Sequence, residues 1–80
     1  MSLVLERLTV NDRVRELDKL AIMLVGIVRE AGGIMDRADA LIALARKARI
    51  SRSEVTLVLS YAKAEGTIAT GPTSSQITTL

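Results

Sequence analysis

The side chains of this sequence that can do chemistry are mainly cationic or hydroxyl-bearing, and they concentrate in one stretch. Residues 37–63 contain six Lys and Arg against two acidic residues, a surplus of four, whereas the whole chain has a net charge of +2. Such an excess favours contact with nucleic-acid phosphates, but an ordinary solvated basic surface has the same excess. Both interpretations stay open on charge alone.

The residue types that are missing exclude several classes of function. The chain has no His and no Cys, so it has no disulfide, Cys nucleophile, Ser-His-Asp triad or metal site of thiolate or imidazole ligands. Tyr61 is the only aromatic residue, which argues against a single-strand binder that stacks bases on several rings. We predict a protein that is not an enzyme, with no catalytic residue, metal or cofactor.

The second of two predicted helices in the basic stretch has the clearest start signal in the chain. Ser51 and Glu54 have the spacing of a capping box, in which each side chain bonds the other residue's backbone N–H. Ile50 and Val55 have the spacing of the hydrophobic staple that accompanies such a box. We predict a helix over residues 52–64 that ends just before a glycine.

This helix is predicted to have an apolar face and a polar, partly cationic face. At 100° per residue the polar face consists of Arg52, Ser53, Thr56, Ser60 and Lys63. Short side chains let a helix approach the floor of a major groove, and an arginine can form two hydrogen bonds to guanine. The alternative is an ordinary exposed helix face.

The remaining elements follow from periodicity and turn residues. We predict a first helix over residues 11–31, capped by Asn11 or Asp12 and ended by glycines 32 and 33. Residues 1–10 are apolar and fit a short strand or the first turns of a helix. A very short extended piece at residues 33–35 precedes a helix that Asp36 starts, and two β-branched runs around residues 71–75 predict a C-terminal hairpin.

Two features carry a family resemblance: the order of elements, and a stretch from Leu44 to Thr56 that continues at Leu59, Ala62, Gly66 and Ile68. Both features resemble those of MarR-like and related winged helix-turn-helix regulators. The resemblance implies a mainly α (α+β) fold. It would be a three-helix winged helix-turn-helix with a C-terminal β-hairpin wing and an elongated first helix. Residues 1–10 would form an N-terminal arm or helix extension, and residues 11–80 the winged-helix domain.

The function implied by the resemblance is a small DNA-binding protein, a transcriptional regulator or DNA-associated accessory factor. Its recognition helix, residues 52–64, would enter the major groove of double-stranded DNA. The residues expected at the DNA are Arg46, Lys47, Arg49, Arg52, Ser53, Thr56, Ser60 and Lys63. The alternative is a non-catalytic winged-helix subunit that docks protein partners in a larger replication or transcription assembly.

Two departures from the family pattern bear on this expectation. Arg49 stands where the turn before Ile50 often holds a glycine. The wing usually carries Arg or Lys, yet residues 66–80 have no charged side chain. The first departure changes at most the turn geometry, whereas the second weakens the DNA-binding interpretation.

The first helix carries a separate signal, because residues 20–28 are uncharged and almost all apolar at every helical angle. A helix on the outside of so small a domain buries only one stripe in its own core. We therefore predict a homodimer, the alternative being cover by residues 1–10. The predicted interface consists of Val14, Leu17, Ala21, Ile22, Val25 and Val28.

The same run of residues also bears on membranes. At nine residues it is much shorter than the stretch of about 20 needed to span a bilayer. The N-terminus lacks the pattern of a signal peptide. We expect a soluble, cytoplasmic protein without a membrane partner.

Overall fold

A computed structural model describes the backbone of residues 2–80 and the side chains of residues 12–80. The fold is mainly helical, with three helices and a small antiparallel sheet of strand order β1-β3-β2. In chain order the elements are α1 (Ser2–Glu30), β1 (Ile34–Asp36), α2 (Arg37–Ala48), α3 (Arg52–Glu65), β2 (Ile68–Thr70) and β3 (Gln76–Thr79). The predicted α+β class is confirmed at this level.

Helix α1 runs without a break from Ser2 to Glu30. The predicted helix start at Asn11 or Asp12 is therefore wrong, and so is the short strand considered for residues 1–10. Capping residues also occur inside helices where their side chains reach water, and Asp12 is exposed. A cap-forming residue type predicts a helix start only where the residues before it do not continue the helix.

The other helix boundaries follow the predicted signals. Gly32 and Gly33 have positive φ, and the Gly33 N–H donates to the Val28 carbonyl at 2.9 Å, which ends α1. Asp36 caps α2 by accepting a hydrogen bond from the Ala38 N–H at 2.9 Å. Gly66 caps the end of α3 with φ of 79°. These predicted caps are confirmed.

The capping box at the start of α3 is only half confirmed. The Ser51 hydroxyl accepts a hydrogen bond from the Glu54 N–H at 3.3 Å, as predicted. The Glu54 carboxylate, however, accepts a hydrogen bond from Arg13 of α1 at 2.6 Å. The charged partner outcompetes a neutral backbone N–H because a charge-assisted hydrogen bond is the stronger one.

The predicted C-terminal hairpin is present, with β2 and β3 paired so that Ala69 faces Thr78. Ile68 and Ile77 are each 1% exposed and lie in the core, as predicted. The short extended piece before α2 forms a third strand, β1, which pairs with β3 so that Met35 faces Ile77.

One hydrophobic core joins all three helices to the sheet. Among the described side chains the buried residues are Leu17, Leu20, Ala21, Leu24, Val28, Ala40, Leu44, Val55, Val58, Leu59, Ala62, Ile68 and Ile77. No polar or charged side chain described by the structure is buried. The core therefore holds the α2–α3 unit in place by apolar packing, and the polar groups remain on the surface.

Over the part of the chain that the structure describes, no helix has the combination of length and apolar character needed to cross a membrane.

Candidate nucleic-acid interface

The turn between α2 and α3 passes through a left-handed backbone conformation at Arg49. Arg49 has φ of 56° and ψ of 48°, the left-handed region, and its N–H donates to the Ala45 carbonyl. The Ile50 N–H donates to the same carbonyl at 3.2 Å. A residue with a Cβ holds this left-handed conformation at a cost of about 1–2 kcal/mol.

The turn brings two helices with exposed cations together. The predicted DNA-contacting cations are all exposed, namely Arg46, Lys47, Arg49, Arg52 and Lys63. Within residues 12–80 the salt bridges are those of Arg13, so none of these five cations pairs with a described carboxylate. Their charge is available to an external anion.

An ion pair between α1 and α3 engages one of the two acidic residues of the basic stretch. Glu54 is one of two acidic residues in the range 37–63, and the Arg13 guanidinium lies 2.6 Å from its carboxylate. This hydrogen bond lowers the pKa of Glu54 and raises the pKa of Arg13, in each case against a smaller opposing effect of desolvation. Arg13 also lies 3.5 Å from Glu16 of α1, so its charge is shared between one acid of the stretch and one outside it.

The predicted polar face of α3 is exposed at Ser53, Thr56 and Ser60. The Thr56 hydroxyl donates to the Arg52 carbonyl at 3.0 Å, four residues back along the helix. The hydroxyl proton of Thr56 is therefore already used in a hydrogen bond. Thr56 offers an external ligand only an acceptor oxygen and a methyl group. Arg52 is the first residue of α3 and has the longest reach on this face.

A groove of about 440 Å³ lies between α2 and α3, on the side of Arg46 and Arg52. We call it the α2–α3 groove. Its lining residues are Ala38, Leu41, Ile42, Ala45, Arg46, Arg52, Val55 and Thr56. Ile42 is 51% exposed despite its apolar side chain. The groove is thus apolar along its length, with one arginine from each helix, a combination that the sequence reasoning missed.

The predicted wing loop, residues 71–75, is short and uncharged. The Gly71 N–H donates to the Gln76 carbonyl at 2.8 Å, which closes the loop. The Arg37 N–H donates to the Ser75 carbonyl at 2.8 Å, so the loop is tied to the start of α2. The loop can reach a ligand only through backbone groups and hydroxyls.

The residues predicted at a dimer interface separate into two groups. Leu17, Ala21 and Val28 belong to the core of the single chain. Ile22 is 72% and Val14 42% exposed, and Val25 is half-buried. Only the second group offers apolar surface to another chain.

A second groove, of about 560 Å³, lies along the exposed side of α1. Ile22, Val25 and Gly26 of α1 line it together with Tyr61 of α3. The Tyr61 hydroxyl donates a hydrogen bond to Asp18, which raises the pKa of Tyr61 well above its ordinary value. This contact between α1 and α3 has no local sequence signal, because its partners are 43 residues apart.

No group of three carboxylates within residues 12–80 converges in a way that could hold a metal ion. Comparison with known proteins gives no further guidance, since no family model, no curated protein and no solved structure matches this chain.

Proposed function

We propose that the chain is a winged helix-turn-helix protein that binds double-stranded DNA, with α3 in the major groove. The order of helices and the antiparallel sheet support the fold assignment. The observation that carries the function is the set of five exposed cations without described carboxylate partners, clustered on α2, α3 and the turn between them. A surface of this kind attracts the phosphates of a duplex.

The position of Arg52 adds to this support. It is the first residue of α3, where the positive end of the helix dipole favours acidic side chains over cations. Helix stability therefore does not explain an arginine here, whereas contact with a base or a phosphate does. Ser53 and Thr56 flank it on the same exposed face, and their short side chains let the helix approach base edges.

We further propose that the protein acts as a homodimer through the exposed side of α1. Helix α1 has 29 residues and is about 44 Å long, in a molecule of 48 × 24 × 19 Å. Ile22, Val14 and Val25 supply apolar surface along it. A two-fold axis at this helix would present two copies of α3 to one duplex, which raises affinity.

The salt dependence of duplex binding tests the proposed function. We expect wild type to bind a 20-base-pair duplex at about 50 mM salt by fluorescence anisotropy, with an affinity that falls steeply as salt increases. Arg52→Ala and Lys47→Ala should each reduce the log–log salt slope by roughly one unit.

The matched control is Lys19→Ala, which removes an exposed cation of α1 outside the basic stretch of residues 37–63. Its salt slope should equal that of wild type. Absence of duplex binding by wild type at about 50 mM salt would refute the proposal, and so would equal losses in all three variants.

A further inference from the structure

The α2–α3 groove is lined mainly by apolar side chains, which contact with a duplex does not require. In its major groove a duplex exposes one apolar group, the thymine methyl. The groove measures about 440 Å³, and Leu41, Ile42 and Ala45 of α2 line it opposite Val55 of α3. It has room for a whole aliphatic or aromatic side chain, and a protein is the partner class that supplies one.

The charges around the groove specify the kind of protein. Arg46 and Arg52 line it from opposite helices, and neither pairs with a carboxylate among the described residues. Of the two acidic residues within residues 37–63, Glu54 is paired with Arg13, and Asp39 is not part of the groove lining. An apolar groove flanked by two unpaired guanidinium groups is complementary to an apolar side chain flanked by carboxylates.

We propose that the α2–α3 groove is a docking site for an acidic protein segment that inserts an apolar anchor against Ile42 and places carboxylates on Arg46 and Arg52. Anchors of this type contribute most of the affinity when a helix or peptide lies in a groove. Because Arg52 is also the residue assigned to DNA, the docked segment excludes duplex. This regulatory consequence rests on the proposed function, whereas the docking itself does not.

The probe is a synthetic twelve-residue peptide, acetylated and amidated, with Leu at positions 1, 4, 5 and 8 and Glu or Asp elsewhere. Titration into ¹⁵N-labelled protein should shift the amide signals of the groove residues, and anisotropy should give the dissociation constant. Ile42→Gln should weaken binding at least tenfold. A peptide with Ser in place of Leu, and one with Gln in place of the acids, should each bind at least tenfold more weakly.

Leu57→Gln is the matched control variant, because Leu57 is 44% exposed on α3 but does not line the groove. It should bind the peptide like wild type, and circular dichroism should show both glutamine variants folded. If the two variants weaken peptide binding equally, the proposal is overturned. Peptide-induced shifts of amide signals centred on Ile22 and Tyr61, instead of the groove residues, also overturn it. The amide signals of the groove residues could instead shift when the protein alone is concentrated, and not shift in Ile42→Gln. A second copy of the chain would then occupy the groove, which would also overturn the proposal.

Competition separates this inference from the proposed function. The peptide should displace a labelled duplex from wild type but not from Ile42→Gln, which should retain duplex affinity within about twofold. Duplex binding without peptide binding overturns the docking site and leaves DNA binding standing. Peptide binding without duplex binding overturns the DNA-binding function and supports the docking site.

Discussion

Arg49 holds a backbone conformation that side chains with a Cβ adopt only at a cost. Its φ of 56° places it in the left-handed region, in which glycine experiences no clash between Cβ and backbone. We expect Arg49→Gly to increase the free energy of unfolding by about 0.5–1 kcal/mol, after the greater entropy of glycine in the unfolded chain is subtracted. Urea denaturation measures the change.

Arg49→Ala is the control for this prediction, because it removes the cation and keeps the Cβ. Its stability should remain close to that of wild type. If alanine stabilises the protein as much as glycine does, the side chain rather than the backbone conformation is responsible. An arginine at a strained position is consistent with a use for its charge in the proposed DNA contact.

The ion pair between Arg13 and Glu54 predicts a dependence of stability on pH. Its hydrogen bond holds the pKa of Glu54 below the ordinary value of 4.5. Between the folded and the unfolded pKa of Glu54, the folded state binds fewer protons than the unfolded state. The pair therefore contributes stability above the ordinary pKa and loses that contribution as the pH falls through the lower pKa of the folded state. The Tm advantage of wild type over Glu54→Gln should be present at pH 7 and shrink below pH 4.5.

Thermal unfolding monitored by circular dichroism between pH 7 and pH 3 measures this advantage. Arg13→Gln should lose the same pH-dependent component, since it removes the other half of the pair. Arg15→Gln, a neighbouring exposed arginine outside the described salt bridges, should not. A difference between wild type and Glu54→Gln that is constant over the whole range would contradict the pairing.

The helix caps give α3 its boundaries, and the start of α3 offers a direct test at the scale of an element. Ser51→Ala removes the hydroxyl that accepts from the Glu54 N–H, and we expect a loss of about 1 kcal/mol in the free energy of unfolding. Ser53→Ala alters an exposed serine two residues further on, inside the helix. It should be neutral or slightly stabilising, because alanine has the higher helix propensity.

Capping residues also explain which elements could be predicted from the sequence. The starts of α2 and α3 depend on side chains that bond the backbone within three residues, so Asp36 and Ser51 carry the information locally. The start of α1 was mispredicted because Asp12 is a capping residue type inside a continuous helix. The extended piece that forms β1 was predicted, but its pairing with β3 was not, because three residues are too few to show a period and the partner strand lies far along the chain.

The exposure of the candidate site residues could be predicted, whereas the shape of the surface around them could not. The exposed cations and the polar face of α3 follow from charge counting and helical periodicity. The α2–α3 groove depends on the distance between two helices, which no single-helix pattern encodes. Likewise, the apolar residues Leu17, Ala21 and Val28 of α1 were assigned to a second chain because a sequence does not show which surface covers them.

At the scale of the whole molecule, the exposed side of α1 predicts self-association. Light scattering should give about twice the chain mass of 8.6 kDa at micromolar concentration. Ile22→Lys should give monomers, because it puts a charge at the most exposed of the predicted interface residues. Ile42→Lys, an equally drastic change at an exposed isoleucine of α2, should remain dimeric.

A wild-type protein that stays monomeric at micromolar concentration would refute the dimer. Dissociation by both lysine variants would place the interface elsewhere or indicate general destabilisation, which their thermal unfolding curves would reveal. If dimers do form, the monomeric Ile22→Lys variant should also bind duplex more weakly, since it presents a single α3.

The position of β3 in the chain has a consequence for synthesis. Its Ile77, which pairs with Met35 across 42 positions, completes a core to which all three helices contribute. On the ribosome, all three helices are therefore made before the strand that completes their shared core. At translation rates of about 5–20 residues per second, Ile77 is added about a second after Glu65, and the core stays incomplete until this strand can pack. A chaperone that binds apolar nascent segments would encounter this protein in that interval, and a premature stop before Gln76 would make the exposure permanent.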